Sequence, residues 1–200
     1  IRSYSEREES SMGWEFDILN GIQSVFQSDL MDQIMPAVTA LGNGGIFWIA
    51  AGLVFTLYKK TRTFGICILT ALVFEVLSCN VILKPLVARP RPFTSDPARI
   101  LLIPRPEDYS FPSGHTAVSF AAASAAWFMK KRKTGVAFGA VACLIAFSRL
   151  YLYVHYPTDV LAGAVIGILC GAAASRLTEM AAAAREARKG SGPEIPVGKL

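Results

Sequence analysis

The chain has 200 residues, 52% hydrophobic and 18% charged, with Lys+Arg 20 against Asp+Glu 15 for a formal net charge of +5. That apolar content excludes a disordered or collagen-like polypeptide. The length admits one ordinary domain, or about five or six membrane helices if the apolar residues come in blocks of roughly 20. They do come in blocks, and Lys and Arg cluster in short runs between them rather than over a folded surface. A bilayer, and not nucleic acid, is therefore the expected partner.

In chain order, residues 1–11 (IRSYSEREESS) are polar without an apolar core, so no cleavable signal peptide is expected at this end. From Trp14 to Phe26 the apolar residues Trp14, Ile18, Leu19, Ile22, Val25 and Phe26 recur at helical spacing between Asp17, Asn20, Gln23 and Ser24. This pattern predicts a helix lying on the membrane interface rather than crossing it. A second such segment, Leu30 to Leu41, is interrupted by Pro36 and closed by the breaker Gly42-Asn43-Gly44-Gly45. Five candidate spans follow, at about 46–58, 64–83, 115–129, 135–153 and 158–179. At about 1.5 Å per residue the first and third are short for a hydrocarbon core of about 30 Å. The predicted fold is thus an all-α integral membrane bundle of about five helices (46–180). Interfacial helices precede it (1–45), and a basic tail (181–200), expected to fray and to carry no chemistry, follows.

The loops orient the bundle. Lys59, Lys60 and Arg62, then Lys130 to Lys133, then Arg185, Arg188 and Lys189 fall on one side if every span crosses once. The positive-inside tendency makes that side cytoplasmic. The long loop from Lys84 to Gly114 and the connection around His155 then lie on the extracytoplasmic side, together with everything that looks chemical.

Both histidines sit where a span meets that outer side. His115 ends Phe111-Pro112-Ser113-Gly114-His115, and His155 lies in Ser148-Arg149-Leu150-Tyr151-Leu152-Tyr153-Val154-His155-Tyr156-Pro157-Thr158-Asp159. Pro157 suits the first turn of the fifth span, which places His155 just before the helix and Asp159 in its first turn. A carboxylate there either orients the imidazole, leaving the other ring nitrogen free to attack, or complements the helix N-terminus, or both. Ser113 and Gly114 open the third span as an N-cap with exposed backbone N–H groups, an anion site in principle. Lys84, Arg89, Arg91 and Arg149 fall at the outer ends of spans, where headgroup anchoring competes with phosphate binding as a use for them.

Lys84, then six intervening residues and Arg91-Pro92, then Pro112-Ser113-Gly114-His115, then Ser148-Arg149 with five residues to His155 and three more to Asp159, resembles the three-part signature of the type-2 phosphatidic acid phosphatase superfamily, shared with vanadium haloperoxidases. With its helical frame the signature covers about residues 45–180. The resemblance implies a phosphohistidine nucleophile at His155, oriented by Asp159, and a general acid at His115. It implies phosphate binding by Lys84, Arg91, Ser113, Gly114 and Arg149. Its spacing selects Arg91 and leaves Arg89 as a headgroup or diphosphate contact at best. No cofactor and no metal are expected, because Asp96, Glu107, Asp108 and Asp159 form no close carboxylate cluster.

The expected activity is hydrolysis of a lipid phosphate or diphosphate at the outer face of a bacterial plasma membrane. Undecaprenyl diphosphate is slightly favoured over phosphatidylglycerophosphate and phosphatidic acid. A non-catalytic lipid-phosphate binder or transporter, and a haloperoxidase-like enzyme, are the alternatives. Glu75, mid-span and about 13 Å below Lys84 if the helix is regular, reads either as a cleft residue or as a packing residue. Tyr151, Tyr153 and Tyr156 read as an interfacial aromatic belt. Cys67, Cys79, Cys143 and Cys170 lack metal or redox spacing and read as small buried hydrophobes.

Overall fold

A computed structural model describes residues 4–96 and 99–190, and every regular element among them is helical. The expected absence of a signal peptide in residues 1–11 falls partly outside the described residues, as does the end of the tail. Helices α1 (Tyr4–Phe26) and α2 (Asp29–Ala40) precede a short 3-10 turn, Asn43–Gly45, and helix α3 (Ile46–Leu57). Helix α4 (Arg62–Glu75) continues as a π-helical stretch, Val76–Leu83, into the short α5 (Lys84–Val87). After a long loop come α6 (Gly114–Phe128), α7 (Arg132–Tyr151) and α8 (Pro157–Gly190).

The five expected spans correspond to α3, the α4–α5 run, α6, α7 and α8. Three of these are long and apolar enough to cross a membrane alone: Arg62–Thr94, Arg132–Tyr151 and Pro157–Arg188. The pair α2–α3, bent by 45°, supplies a fourth if taken as one broken span. Helix α6 has only 15 residues, about 22 Å. Its composition explains why it is short: Ala117, Ala121, Ala122, Ala123, Ala125 and Ala126 are all buried. It is the inner post of the bundle, surrounded by protein on most sides. Helix α2 runs through Pro36 rather than stopping there, and α8 stays helical through the alanine-rich stretch to Gly190, as alanine's helix propensity favours.

Packing follows residue size. The main core joins Trp48 of α3 and Phe64, Ile68 and Leu72 of α4 to the alanine face of α6 and to Cys170 and Ala174 of α8. The Trp48 indole N–H, buried there, donates to Ser119 Oγ at 3.0 Å. Helices α6 and α8 approach most closely along Gly163, Gly167 and Gly171, spaced four apart on one face. A Cβ on these residues would come within 2.6 Å of Ser113 O, 2.3 Å of Ala117 O and 2.0 Å of Ser124 Oγ respectively. This small-residue seam lets two backbones touch in an apolar medium, and it sets α6, which carries His115, beside α8, which carries Asp159. Cys67, Cys79 and Cys170 are buried and Cys143 is exposed; all four are free thiols.

The tyrosines are not a belt. Tyr151, Tyr153 and Tyr156 are buried at 0%, 4% and 1% exposure, because α1 and α2 fold across the His155 end of the bundle and cover them. Tyr151 packs with Met35 of α2 and Phe93, and Tyr153 and Tyr156 pack with Leu19 and Phe16 of α1. Two of the hydroxyls reach back to those helices, Tyr151 to Asp32 Oδ1 at 2.5 Å and Tyr153 to Asn20 Oδ1 at 3.0 Å. On its outer side α1 exposes Trp14, Ile18 and Val25, a single stripe at helical spacing consistent with an interfacial helix.

Replacing Gly167 by Ala should push α6 and α8 apart, lowering the melting temperature in detergent by a destabilisation of about 1–3 kcal/mol and reducing activity. Gly139→Ala on α7, where a Cβ meets nothing within 4 Å, should be neutral or slightly stabilising. Equal melting temperatures for the two variants would contradict this packing.

Candidate active site

His155 stands between α7 and α8 because Tyr153 adopts a left-handed conformation (φ 59°) that ends α7 and turns the chain back. That conformation costs a non-glycine residue energy, and the packed and hydrogen-bonded ring of Tyr153 holds it. The imidazole is 1% exposed, and its Nε2 lies 3.1 Å from Arg91 Nη1. A guanidinium only donates, so Nε2 is the acceptor and the ring proton resides on Nδ1. Burial is the larger force against the imidazolium form. The charges of Arg91 and Arg149 add to it, and the ring's pKa lies well below its ordinary 6.5. The ring is therefore neutral, with an unprotonated Nε2 directed at the Arg91 guanidinium.

Behind the ring, Asp159 Oδ2 lies 3.6 Å from Nδ1, longer than a hydrogen bond. Ser110 accounts for the gap: its hydroxyl donates to Asp159 Oδ2 at 2.5 Å and sits 3.5 Å from Nδ1. Asp159 Oδ2 also accepts the Tyr156 N–H at 2.9 Å, the reach-back contact of a capping box at the start of α8. The carboxylate thus caps the start of α8 and lies beside Nδ1 without bonding it directly. The orienting contact is shared with Ser110, a loop residue whose only sequence cue is its place three residues before Ser113.

Arg89 is engaged within the protein. It is turned inward, donating from Nη1 to Asp159 Oδ1 and Thr158 Oγ1, both at 2.7 Å, and lies 3.9 Å over the Tyr156 ring. The α4–α5 run ends in a left-handed Ala88 (φ 49°); beyond it Arg89 lies against Asp159, and Arg91 meets His155 from the pocket.

A cavity of about 480 Å³ opens in front of His155, lined among others by Lys84, Arg91, Arg105, His115, Arg149 and Asp108. Arg91 is anchored by its Nη1 to Val154 O at 2.7 Å and its Nη2 to Asp108 Oδ1 at 2.5 Å. Lys84 pairs with the other Asp108 oxygen. Burial alone would raise the Asp108 carboxyl, but Lys84 and Arg91 outweigh it and hold its pKa down at about 2. Arg149, buried on α7, donates from Nη1 to Thr39 Oγ1 at 2.6 Å, while its Nε is buried without a partner. His115 lies across the cavity with Nε2 2.9 Å from Asn43 Oδ1, which as an acceptor sets the ring proton on that nitrogen. Asn43 and Thr39 were silent in the sequence, one inside what read as a helix breaker and the other on an interfacial helix.

Of the expected site residues, Lys84, Arg91, Gly114, His115, Arg149 and His155 line one cavity. Ser113 does not line it. It is fully buried at the N-terminal cap position of α6, makes no side-chain capping bond, and its hydroxyl accepts from Thr116 at 3.0 Å while its N–H donates to Asp159 O at 3.0 Å. Its observed contacts tie α6 to α8. Glu75 is buried and lines a second cavity of about 240 Å³ that shares Lys84, Asp108, Gly114 and His115 with the first. Among the described residues no group of three or more His, Cys, Asp or Glu side chains gathers as a metal site.

A helical membrane bundle with two histidines across a cluster of fixed cations defines a class of phosphate-handling membrane proteins. The PAP2 superfamily matches residues 45–182, and the chain belongs to that family. It is 32% identical over 120 residues to an undecaprenyl-diphosphatase of Sulfolobus acidocaldarius, a match spanning 60% of this chain and 58% of that protein. It is 32% identical over 166 residues to a lipid A 4'-phosphatase of Porphyromonas gingivalis, spanning 78% and 68%. The fold is shared with the crystal structure of a transmembrane PAP2-type phosphatidylglycerolphosphate phosphatase from Bacillus subtilis, at a TM-score of 0.71 and 26% identity over 86% of this chain and 87% of that one.

In ¹⁵N-imidazole spectra, His155 should keep its neutral Nδ1–H form as pH falls from about 8 to about 5.5, through the ordinary imidazole range. An unfolded chain would take up that proton, so folding stability should fall with pH below about 6.5. Titration of His155 near 6.5 would contradict the geometry.

Proposed function

We propose that the protein is a membrane lipid phosphatase that hydrolyses a lipid diphosphate, with undecaprenyl diphosphate as substrate, at the extracytoplasmic face. The observation that carries this reading is the unprotonated Nε2 of His155 facing Arg91 in a cavity that also presents Lys84, Arg149 and His115. In that arrangement Nε2 attacks phosphorus and forms the N–P bond. The bond from phosphorus to the leaving oxygen breaks, and that oxygen takes its electron pair and a proton from His115, whose ring must carry a proton on both nitrogens in the substrate complex. Water then attacks phosphorus and gives a proton back to His115, the N–P electron pair returns to Nε2, and inorganic phosphate departs. Lys84, Arg91 and Arg149 neutralise charge spread over the phosphoryl oxygens, and the Nε–H of Arg149 is an uncommitted donor for one of them.

Lys84, Arg91 and Arg149 line the cavity together with one carboxylate, Asp108. That positive excess suits a phosphate group carrying about two negative charges or more, which includes the diphosphate proposed here. The undecaprenyl-diphosphatase relative supports the same substrate, while the lipid A and phosphatidylglycerolphosphate relatives supply the comparisons for a test. The outward orientation is supported by the basic runs at Lys59–Arg62, Lys130–Lys133 and Arg185–Arg188, which follow the opposite helix ends from His155.

Phosphate release by the purified protein in detergent should be fastest on undecaprenyl diphosphate among undecaprenyl diphosphate, phosphatidylglycerophosphate and phosphatidic acid. His155→Ala should lower it by at least about 10³-fold with the fold intact, and EDTA should leave it unchanged. Full turnover by His155→Ala, or complete loss in EDTA, would overturn the reading.

A further inference from the structure

Helix α1 lies outside the residues matched by the family, yet it sends one carboxylate into the site. Glu15 is 3% exposed, although α1 is a surface helix whose other face exposes Trp14, Ile18 and Val25. Its Oε2 accepts from Arg89 Nη2 at 2.5 Å. Its Oε1 accepts from the Thr158 hydroxyl at 2.6 Å and the Thr158 N–H at 3.2 Å, in the first turn of α8. Arg89 and Thr158 are the groups that adjoin Asp159. Arg89 Nη1 donates to Asp159 Oδ1 and Thr158 Oγ1, both at 2.7 Å, and Thr158 precedes Asp159 in the chain. Glu15, Arg89, Thr158 and Asp159 close a ring of contacts behind the nucleophile.

We propose that Glu15 is a positioning residue for the His155 nucleophile, acting through Arg89 and Thr158 on Asp159, so that docking of α1 completes the catalytic centre. The proposal rests on the phosphatase reading of His155. Its physical basis is charge balance in a buried cluster. Arg89 and Asp159 alone would be neutral, and the guanidinium would draw on the carboxylate that faces Nδ1. Glu15 engages the other edge of the guanidinium and restores a net negative charge behind the ring. His155 gains positive charge as Nε2 bonds to phosphorus, and a negative cluster behind Nδ1 stabilises that change in a poorly solvated site. Glu15 also accepts an otherwise unpaired N–H at the α8 N-terminus, where a carboxylate is favoured by the helix dipole. It does not line the phosphate cavity, so its effect should fall on the chemical step and not on phosphate binding.

The test compares wild type, Glu15→Gln and Glu15→Asp as full-length proteins in detergent. Phosphate release from undecaprenyl diphosphate, inhibition by orthovanadate and thermal melting are measured for each. Glu15→Gln should lower kcat about tenfold or more with KM and vanadate inhibition within about twofold of wild type, and Glu15→Asp, which keeps the charge, should recover part of the loss. Should Glu15→Gln fail to fold, Glu15→Asp carries the test, with a lowered kcat at unchanged KM and melting temperature. Wild-type kcat in Glu15→Gln, or kcat, KM and melting temperature falling together in Glu15→Asp, would overturn the proposal. If His155→Ala is inactive while Glu15→Gln is normal, only this inference fails; if His155→Ala turns over normally, the phosphatase reading fails instead.

Discussion

The contact between Arg91 Nη1 and His155 Nε2, 3.1 Å long and buried, is the constraint on which the remaining structure depends. It places a cation beside a ring that burial already keeps neutral, and it directs the Nε2 lone pair toward the cavity that Arg91 lines. Fixed cations without counter-charges repel one another in a poorly solvated site. Asp108 bridges Lys84 and Arg91, and Thr39 accepts from Arg149. The cavity is thus a charge arrangement held in place by hydrogen bonds from several elements, with a surplus of positive charge for an anionic substrate.

The bundle holds these groups in register. The π-helical end of α4 leads directly into Lys84, a wide-turn geometry often found at functional sites. The glycine seam between α6 and α8 fixes His115 relative to Asp159, and the Ser113 N–H to Asp159 carbonyl bond ties the two helix starts together. Helices α1 and α2 close over the His155 end, where Thr39, Asn43 and Glu15 each reach a group of the site or its support. A mostly apolar protein carries a strongly polar centre because Arg89, Arg91, Arg149 and Asp159 each find a partner from another element there.

The histidines and the cations of the site were legible in the sequence because each lies in a short run with fixed spacing, and Pro157 fixed where α8 begins. The helices were legible because apolar blocks and basic loops alternate. What escaped was contact across large sequence separation. Glu15 meets Thr158, Asn43 meets His115 and Thr39 meets Arg149, and no local pattern encodes which loop folds over which. Arg89 and Arg91 are two residues apart and look alike, yet Arg89 lies against Asp159 and Arg91 meets His155. The tyrosines looked interfacial for the same reason, since their covering helices come from the far end of the chain. Ser110 stands between His155 and Asp159 because a loop returns there, which spacing within the motif does not reveal.

The central claim is a covalent intermediate on His155, and rapid chemical quench with ³²P-labelled undecaprenyl diphosphate tests it most directly. The account predicts an acid-labile, base-stable phosphoryl group that maps to residue 155, forms before phosphate is released, and is missing from His155→Asn. Turnover with no protein-bound label at any time, or label at another residue, would contradict it.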